Sequence, residues 1–482
     1  DQIHSDIPLA NRGRKVILPS SFSGSPRHMQ QLFQDAMSIV THFGKPSLFI
    51  TMTCNPHWQE FQAILGPNQK VNDRPDLTAR IFRQKLNELM EDLTKRGIFG
   101  RTVAYMHVIE FQKRGLPHAH ILLILASDFH LNTADSINNI ISAEIPNPET
   151  QSDLYDKVIH HNLHGPCGMA NMDSPCMHNN ECSKKYPKQF SESTLINEDC
   201  FPTYQRPHNL RTIKRKDFQF DNRWVVPYNP YLTQKYDCHI NVESCASLNS
   251  IKYIYKYIYK GPDRAMIELE NMDECKQYTD SRYVLASEAC WQLFAFKTHN
   301  QSHSVIRLPC HLPGEQFSIF NDSTTIETAV EQNKKTKLTE FFHLCEVDSN
   351  AKKLLYREIP FSYTWQPSTK QWCKRQRQYN LQIARLYAVN PNENEKYYLR
   401  LLLNTVRGPT SYENLRTHDG IIHPTFQDTA RSYGLTQDDS EWDRCLQEAT
   451  INCLPCQIRH IFSMILVHCS PSNPRGLFTK YF

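Results

Sequence analysis

VIEFQKRGLPHAHILLI, Val108 to Ile124, holds two β-rich runs separated by a short turn around Gly115. On a strand, residues two apart face the same side. His118 and His120 therefore present two imidazoles together, while Ala119 and the apolar residues after it pack the opposite face. The preceding run offers Glu110 and Gln112, also two apart. An odd-numbered turn such as Lys113 to Pro117 sets Glu110 across from His120 and Gln112 across from His118. Two neutral imidazoles beside a carboxylate suit a divalent metal. Spacing alone does not establish one, because a bare His-x-His is most often two partly exposed side chains.

Outward from this hairpin the pattern is α+β. Upstream, Ser25 and Pro26 precede a helix-like stretch that runs through Phe43 and stops at Gly44, and Ser47 to Thr53 (SLFITMT) reads as a buried strand. Asp76 reads as the N-cap of a helix whose stripe is Leu77, Ile81, Phe82, Leu86, Leu89, Met90 and Leu93, with Gly97 as the stop. A helix between strands, followed by a hairpin, predicts a central antiparallel sheet with flanking helices. From Ala143 to about Pro230 periodicity disappears and Pro, Asn, Cys and His accumulate. Helical pattern returns at Ser244 to Tyr259, Ala286 to Phe296, Lys396 to Asn404 and Cys456 to Val467. The expected organisation is an N-terminal extension over 1–25, a first part of the sheet domain over 26–142, a Cys/His-rich insertion over 143–235, a second part of that domain over 236–310, and a mainly helical region over 311–482.

The 482 residues are 40% hydrophobic and 22% charged, which excludes global disorder. A formal charge of +4 is too small to prove a nucleic-acid partner by itself. No apolar run approaches the roughly 18 to 20 residues of a membrane span. Sixteen cysteines without a secretory cue point to a reducing compartment, with some thiols holding metal. The chain opens on Asp1, and we expect it to be an excerpt of a longer protein.

The loosened segment has its own organiser. His164, Cys167, Cys176 and Cys182 give H-x2-C-x8-C-x5-C, the donor set of a closed tetrahedral zinc site, with His161 and His178 as competing ligands. The alternative is a loop with free thiols. The lone Cys453-x2-Cys456 pair reads as packing.

Ile251 to Gly261 (IKYIYKYIYKG) is the other informative segment. As a helix it has an isoleucine stripe and two tyrosine lines, Tyr253 with Tyr257 and Tyr255 with Tyr259, with Lys252, Lys256 and Lys260 between them. A phenol beside ammonium groups and a metal can attack a phosphodiester. The helical wheel does not choose between the pairs, and a tyrosine-rich packing helix remains the plainer reading. Basic residues interleaved with aromatics suit single-stranded DNA, although a solvated face is equally common. One such cluster is Arg206, Arg211, Lys214, Arg215, Lys216 and Arg223 with Tyr204, Phe218, Phe220 and Trp224; the other is Trp372, Lys374, Arg375, Arg377 and Tyr379.

Several stretches together resemble the replication-initiator-type nuclease of Helitron transposases, within the wider group of His-hydrophobe-His (HUH) endonucleases. They are FITMTCNPHW (Phe49 to Trp58), VIEFQKRGLPHAH (Val108 to His120), HINVESC (His239 to Cys245), KYIYKYIYKG, RYVLASEACWQLF (Arg282 to Phe294), YYLRLLLNTVRGPTSYENLRT (Tyr397 to Thr417) and FQDTARSYGL (Phe426 to Leu435). The resemblance implies an HUH-like fold in which His118 and His120 hold Mg2+ or Mn2+, with Glu110 as third ligand and Gln112 as fallback. It implies Tyr253 and Tyr257 as paired nucleophiles, with Lys256 beside them. Lys113, Arg114, Lys252, Lys260, Arg211, Lys214, Arg215 and Lys216 are then candidate DNA contacts. The implied activity is nicking and joining of single-stranded transposon ends through a 5′-phosphotyrosine, in the nucleus, ahead of a superfamily 1 helicase domain. The chain carries no Walker A sequence. The alternative is a transposon-derived protein that binds DNA without cutting it.

Overall fold

The computed structural model describes residues 22, 25–111, 115–196, 201–215, 218–245, 284–316, 335–376, 382–387, 389, 393–435, 440–452, 455–468, 471 and 473–482. They fall into two compact units, one within 1–33 and 43–302, the other within 34–42 and 303–482.

The first unit is built on a five-stranded antiparallel sheet. Its strands are β1 (Leu48–Thr53), β2 (Thr102–Phe111), β3 (Pro117–Leu125), β8 (Ile240–Ser244) and β9 (His299–Gln301), in the order β8-β1-β3-β2-β9. Alternation along each strand sorts side chains onto two faces. Leu48, Ile50 and Met52 of β1, Ala119, Ile121 and Leu123 of β3, and Ile240 and Val242 of β8 are all fully buried in one core. The helix Pro75–Thr94 brings Ala79, Phe82, Leu86, Leu89 and Leu93 to that core, and Trp291 of the helix Ala286–Leu293 joins them. Asp92, on the same helix and with no exposed side-chain surface, receives Lys235 Nζ at 2.8 Å and the Tyr236 hydroxyl at 2.6 Å. The short helix Pro230–Tyr236 is thereby tied to the helix Pro75–Thr94.

Three local expectations are corrected. Asp76 lies inside the first turn, not at the N-cap: Arg74 holds that position, Pro75 starts the helix, and Asp76 pairs with the Arg74 guanidinium at 2.8 Å. Ser244 ends strand β8 rather than opening a helix, because β8 is an edge strand that pairs with β1. Cys245 is not helical either, and residues 246–259 of that expected helix lie outside the described residues. The Ala143–Pro230 stretch contains an unforeseen helix, Ser152–His161, which buries Leu154 and Val158. It also carries two small hairpins, β4 (Met177–His178) with β5 (Glu181–Cys182) and β6 (Ile213–Arg215) with β7 (Phe218–Phe220). Their shared core is Ile145, Leu154, Val158, Ile213, Phe220, Trp224, Val225 and Tyr228.

The second unit buries Leu338, Phe341, Tyr356, Leu399, Leu402 and Leu403 around the helices Lys337–Val347 and Glu395–Leu403. Among its described residues are also three two-stranded sheets: β10 (Ser304–Leu308) runs parallel to β13 (Gln382–Leu386), β11 (Tyr363–Gln366) pairs with β12 (Gln371–Lys374), and β14 (Thr417–His418) with β15 (Ile421–Ile422).

Candidate metal sites

The face of the sheet opposite the helix-packed core carries the hairpin histidines. His118 lies across from Glu110 on β2 and from Thr53 on β1, and Thr53 N–H donates to the His239 carbonyl at the start of β8 (2.9 Å). His120 lies across from Val108 and Thr51, and Thr51 from Asn241. Two rows of side chains therefore cross the sheet side by side.

Both imidazoles are held from behind. Thr53 Oγ1 is 2.8 Å from His118 Nδ1, and Thr51 Oγ1 is 3.0 Å from His120 Nδ1. The Phe49 ring stacks near the His120 imidazole, centroids 5.7 Å apart and 10° from parallel. Engaging Nδ1 orients each ring and leaves Nε2 as the nitrogen that could take a metal. Burial, reinforced by the His120 and His239 imidazoles, pulls the His118 pKa down to about 4, so the ring is neutral at pH 7.

The β2–β3 register differs from the expected one by two residues. Glu110 sits opposite His118 rather than His120, because Phe111 pairs with Pro117. Which face each residue takes follows from burial of Ile109 and Ala119; an offset of two leaves those faces unchanged, so alternation does not detect it. Glu110 nevertheless reaches diagonally to His120, with Oε2 3.0 Å from Nε2. Gln112, Lys113 and Arg114 lie outside the described residues. So do Lys216 and the whole segment with Lys252, Tyr253, Tyr255, Lys256, Tyr257, Tyr259 and Lys260.

A second site lies in the Cys/His-rich segment. The candidate ligand atoms of His164, Cys167, Cys176 and Cys182 all lie within 4.8 Å of one another. Among the described residues this is the one group of three or more His, Cys, Asp or Glu drawn together in that way. Glu110, His118 and His120 share a face without forming so closed a cluster. Local structure explains the gathering. Asn179 and Asn180 adopt positive φ of 51° and 65°, the conformation of a tight hairpin turn, which folds Cys182 back toward Cys176. His164 N–H donates to the Trp224 carbonyl (2.9 Å), and its ring stacks on Tyr186 at 4.2 Å. Cys182 Sγ lies 3.4 Å from His164 Nε2.

Burial, helped by nearby Lys184 and Lys188, pulls His164 down to about 4. Burial first, and then Cys182 and Cys176, push the Cys167 thiol up to about 12. For Cys182, burial is outweighed by hydrogen bonds from the Tyr186 and Lys184 backbone, and its pKa falls. Three sulfurs and a neutral imidazole in one small space are the donor set of a structural zinc site, and a cation there stabilises thiolates that otherwise repel. His161 is not a competitor, since its Nε2 bonds Asp237 Oδ1 at 3.0 Å, and His178 is exposed.

Residues 3–123, about a quarter of the chain, match the family model described as Helitron helicase-like domain at N-terminus. The N-terminal region is Helitron-related. The match includes β1, β2 and most of β3, hence Thr51, Thr53, Glu110, His118 and His120. It ends before the cysteine cluster. No curated protein matches the chain.

Beyond the Helitron-related region, the expected basic surface is partly interior. Arg206 is 3% exposed, and its guanidinium donates to the carbonyls of Asn222 (2.6 Å) and Val225 (2.7 Å). Tyr204, Phe220 and Trp224 are buried as well. Arg223 pairs with Asp221 at 2.6 Å, and Arg211 donates to the Ile145 carbonyl. Arg215, on an exposed edge, donates to the Ile159 carbonyl, and Lys214 beside it is exposed. In the second unit Trp372 is buried and donates to the Lys337 carbonyl, so its ring is not a stacking platform. Aromatic residues near arginines in sequence belong here to small cores, where ring burial outweighs surface use. Thr51 and Thr53, which hold the histidines, had a visible signal: two hydroxyls spaced two apart on the strand FITMT.

Proposed function

We propose that the chain nicks and rejoins single-stranded DNA through a metal-dependent, tyrosine-mediated reaction of the HUH type. The observation that carries this reading is the pair of imidazoles on one sheet face, each with Nδ1 held by a threonine hydroxyl, beside the Glu110 carboxylate. Imidazole nitrogens and a carboxylate oxygen fit Mn2+ or Mg2+. A divalent cation bound there supplies charge stabilisation to the scissile phosphate.

The nucleophile in this reading is Tyr253 or Tyr257, with Lys256 beside it stabilising the phenolate. The phenol loses its proton to solvent and its oxygen attacks phosphorus in line. A tyrosine–phosphorus bond forms, the bond from phosphorus to the 3′-oxygen breaks, and that oxygen departs as a hydroxyl after taking a proton. A second tyrosine permits a second cleavage while the first end stays attached. Lys214 and Arg215, with Lys113, Arg114, Lys216, Lys252, Lys260 and Arg211, are the proposed contacts to the DNA backbone. The cysteine cluster holds zinc structurally, and the intact protein acts in the nucleus with a helicase domain.

The test is incubation of the protein with end-labelled single-stranded DNA and Mn2+, followed by denaturing gel analysis. A covalent adduct that disappears in His118→Ala and His120→Ala, with DNA affinity nearly unchanged, is expected. Tight binding with no adduct under any metal supports the DNA-binding relic instead. Mass spectrometry of the linked peptide should find the nucleotide on Tyr253 or Tyr257; finding it on Tyr255 or Tyr259 overturns the assignment.

A further inference from the structure

The helix Ala286–Leu293 ends in a turn that decides where two aromatic rings sit. Phe296 N–H donates to the Trp291 carbonyl (3.0 Å) and Ala295 N–H to the Gln292 carbonyl (2.9 Å). These are the two bonds of a Schellman motif, with Ala295 at φ 53° where glycine is usual. The turn folds Phe296 back against Trp291, centroids 5.2 Å apart, and leaves Phe294 5.3 Å from Phe296. Each of these rings carries an arginine of the helix Pro75–Thr94. Arg80 Cζ lies 4.5 Å from the Phe294 centroid, and Arg83 Cζ lies 4.3 Å from that of Phe296.

Other cations of that helix are neutralised. Arg74 at its start pairs with Asp76 at 2.8 Å, and Lys85 pairs with Glu60 at 2.5 Å. Arg80 and Arg83 have neither a carboxylate partner nor a side-chain hydrogen bond among the described residues. Glu288 on the neighbouring helix is buried and accepts from Gln292 Nε2 at 3.3 Å. A ring face attracts a guanidinium without neutralising it, so stacking fixes the plane and leaves the N–H fork unspent. Two such forks at i and i+3 stand on one side of the helix, roughly 5–6 Å apart at Cβ. Exposed Lys297 follows Phe296 directly, and Trp291 Nε1 donates to its carbonyl at 3.2 Å. Leu293, 83% exposed, lies at the same end of its helix.

We propose that Arg80, Arg83 and Lys297 form a further contact surface for the phosphodiester backbone of single-stranded DNA, with Leu293 offering apolar surface to an unstacked base. Preorganised, unneutralised guanidiniums match phosphate oxygens, and apolar surface beside them suits a strand whose bases are free. The inference rests on the DNA reading above and adds a second place of contact, on the helix-packed side of the sheet. The first end of the helix Ala286–Leu293 is tied to the catalytic hairpin of that reading, because the Ser287 hydroxyl donates to the carbonyl of Gly115, between β2 and β3. Its 8 residues span roughly 12 Å, so a strand leaving the hairpin meets this surface after a few nucleotides.

The experiment is fluorescence anisotropy of labelled oligothymidylate with the full chain across a salt series, for wild type, Arg80→Met/Arg83→Met and Lys297→Gln. Methionine keeps a side chain against each ring and removes the charge. The double variant should bind at least about 10-fold more weakly in about 0.1 M salt. Its slope of log affinity against log salt should be shallower by roughly 1.4, at about 0.7 per lost phosphate contact. Lys297→Gln should lower the slope by about 0.7. Unfolding midpoints verify that each variant is folded, and if the double variant does not fold, Lys297→Gln decides alone. Unchanged affinity and slope in the folded variants overturn the inference while leaving DNA binding at the hairpin standing. Loss of polyglutamate binding with oligothymidylate binding intact overturns it in favour of an acidic protein partner. No oligothymidylate binding by wild type overturns the DNA reading and this inference together.

Discussion

Thr53 Oγ1 stands 2.8 Å from His118 Nδ1, joining neighbouring strands through their side chains as well as their backbones. The bond orients the imidazole before any metal arrives. Thr53→Val keeps the shape and removes the hydroxyl, and should lower Mn2+ affinity about 10-fold to 100-fold. Stability should change by only about 1 kcal/mol. Thr53→Ser should restore binding. Calorimetric metal titration of the three proteins checks this.

Zinc should be present at about one atom per chain after gentle purification. Cys176→Ser or Cys182→Ser should remove it. The consequences should begin around Cys167, Cys176, Met177 and Tyr186, which pack against the core containing Trp224 and Tyr228. Elemental analysis with hydrogen exchange across 145–228 measures both. A metal-free protein with unaltered exchange there would show that the cluster is only a group of thiols.

Acid should weaken the first unit through His107 and His299. Burial, with Arg83 adding to it, lowers His107 to about 4, and burial with His107 and His28 nearby lowers His299 to about 3. Both rings are neutral in the fold, while the unfolded chain protonates them near pH 6.5. Their contribution is therefore complete above pH 6.5 and shrinks as pH falls toward 4 and 3. At pH 5 the loss should be roughly 1–2 kcal/mol for each. Denaturant midpoints at pH 7 and 5, compared with His107→Gln and His299→Gln, test the sign and size.

Arg206 and Lys214 should separate structure from DNA contact. Arg206→Met removes the guanidinium from the buried carbonyls of Asn222 and Val225, leaving them only the longer bonds from Val225 N–H (3.4 Å) and the Tyr186 hydroxyl (3.5 Å), and should cost on the order of 2 kcal/mol of stability. Lys214→Ala should leave stability within about 0.5 kcal/mol, while weakening single-stranded DNA binding and reducing its salt dependence. Unfolding curves and fluorescence titrations at two salt concentrations distinguish the roles. Equal DNA effects from both variants, with Arg206→Met still folded, would contradict the assignment.

Local signals in the sequence located the strands Leu48–Thr53 and Thr102–Phe111 and the helix Pro75–Thr94 to within a residue or two, because periodicity and punctuation are properties of neighbouring residues. The gathering of His164, Cys167, Cys176 and Cys182 was legible for the same reason: one short segment contains all four candidate ligands. The pairing of His118 with His120 was equally local. The offset of Glu110 was not, since alternation specifies a face and leaves a shift of two undetermined. Arg206 looked like surface in a basic run, and only the fold around Asn222 and Val225 made it interior. Thr53 and His239 became neighbours of His118 because β1 and β8 enter one sheet from distant parts of the chain, and that long-range register has no counterpart in local spacing.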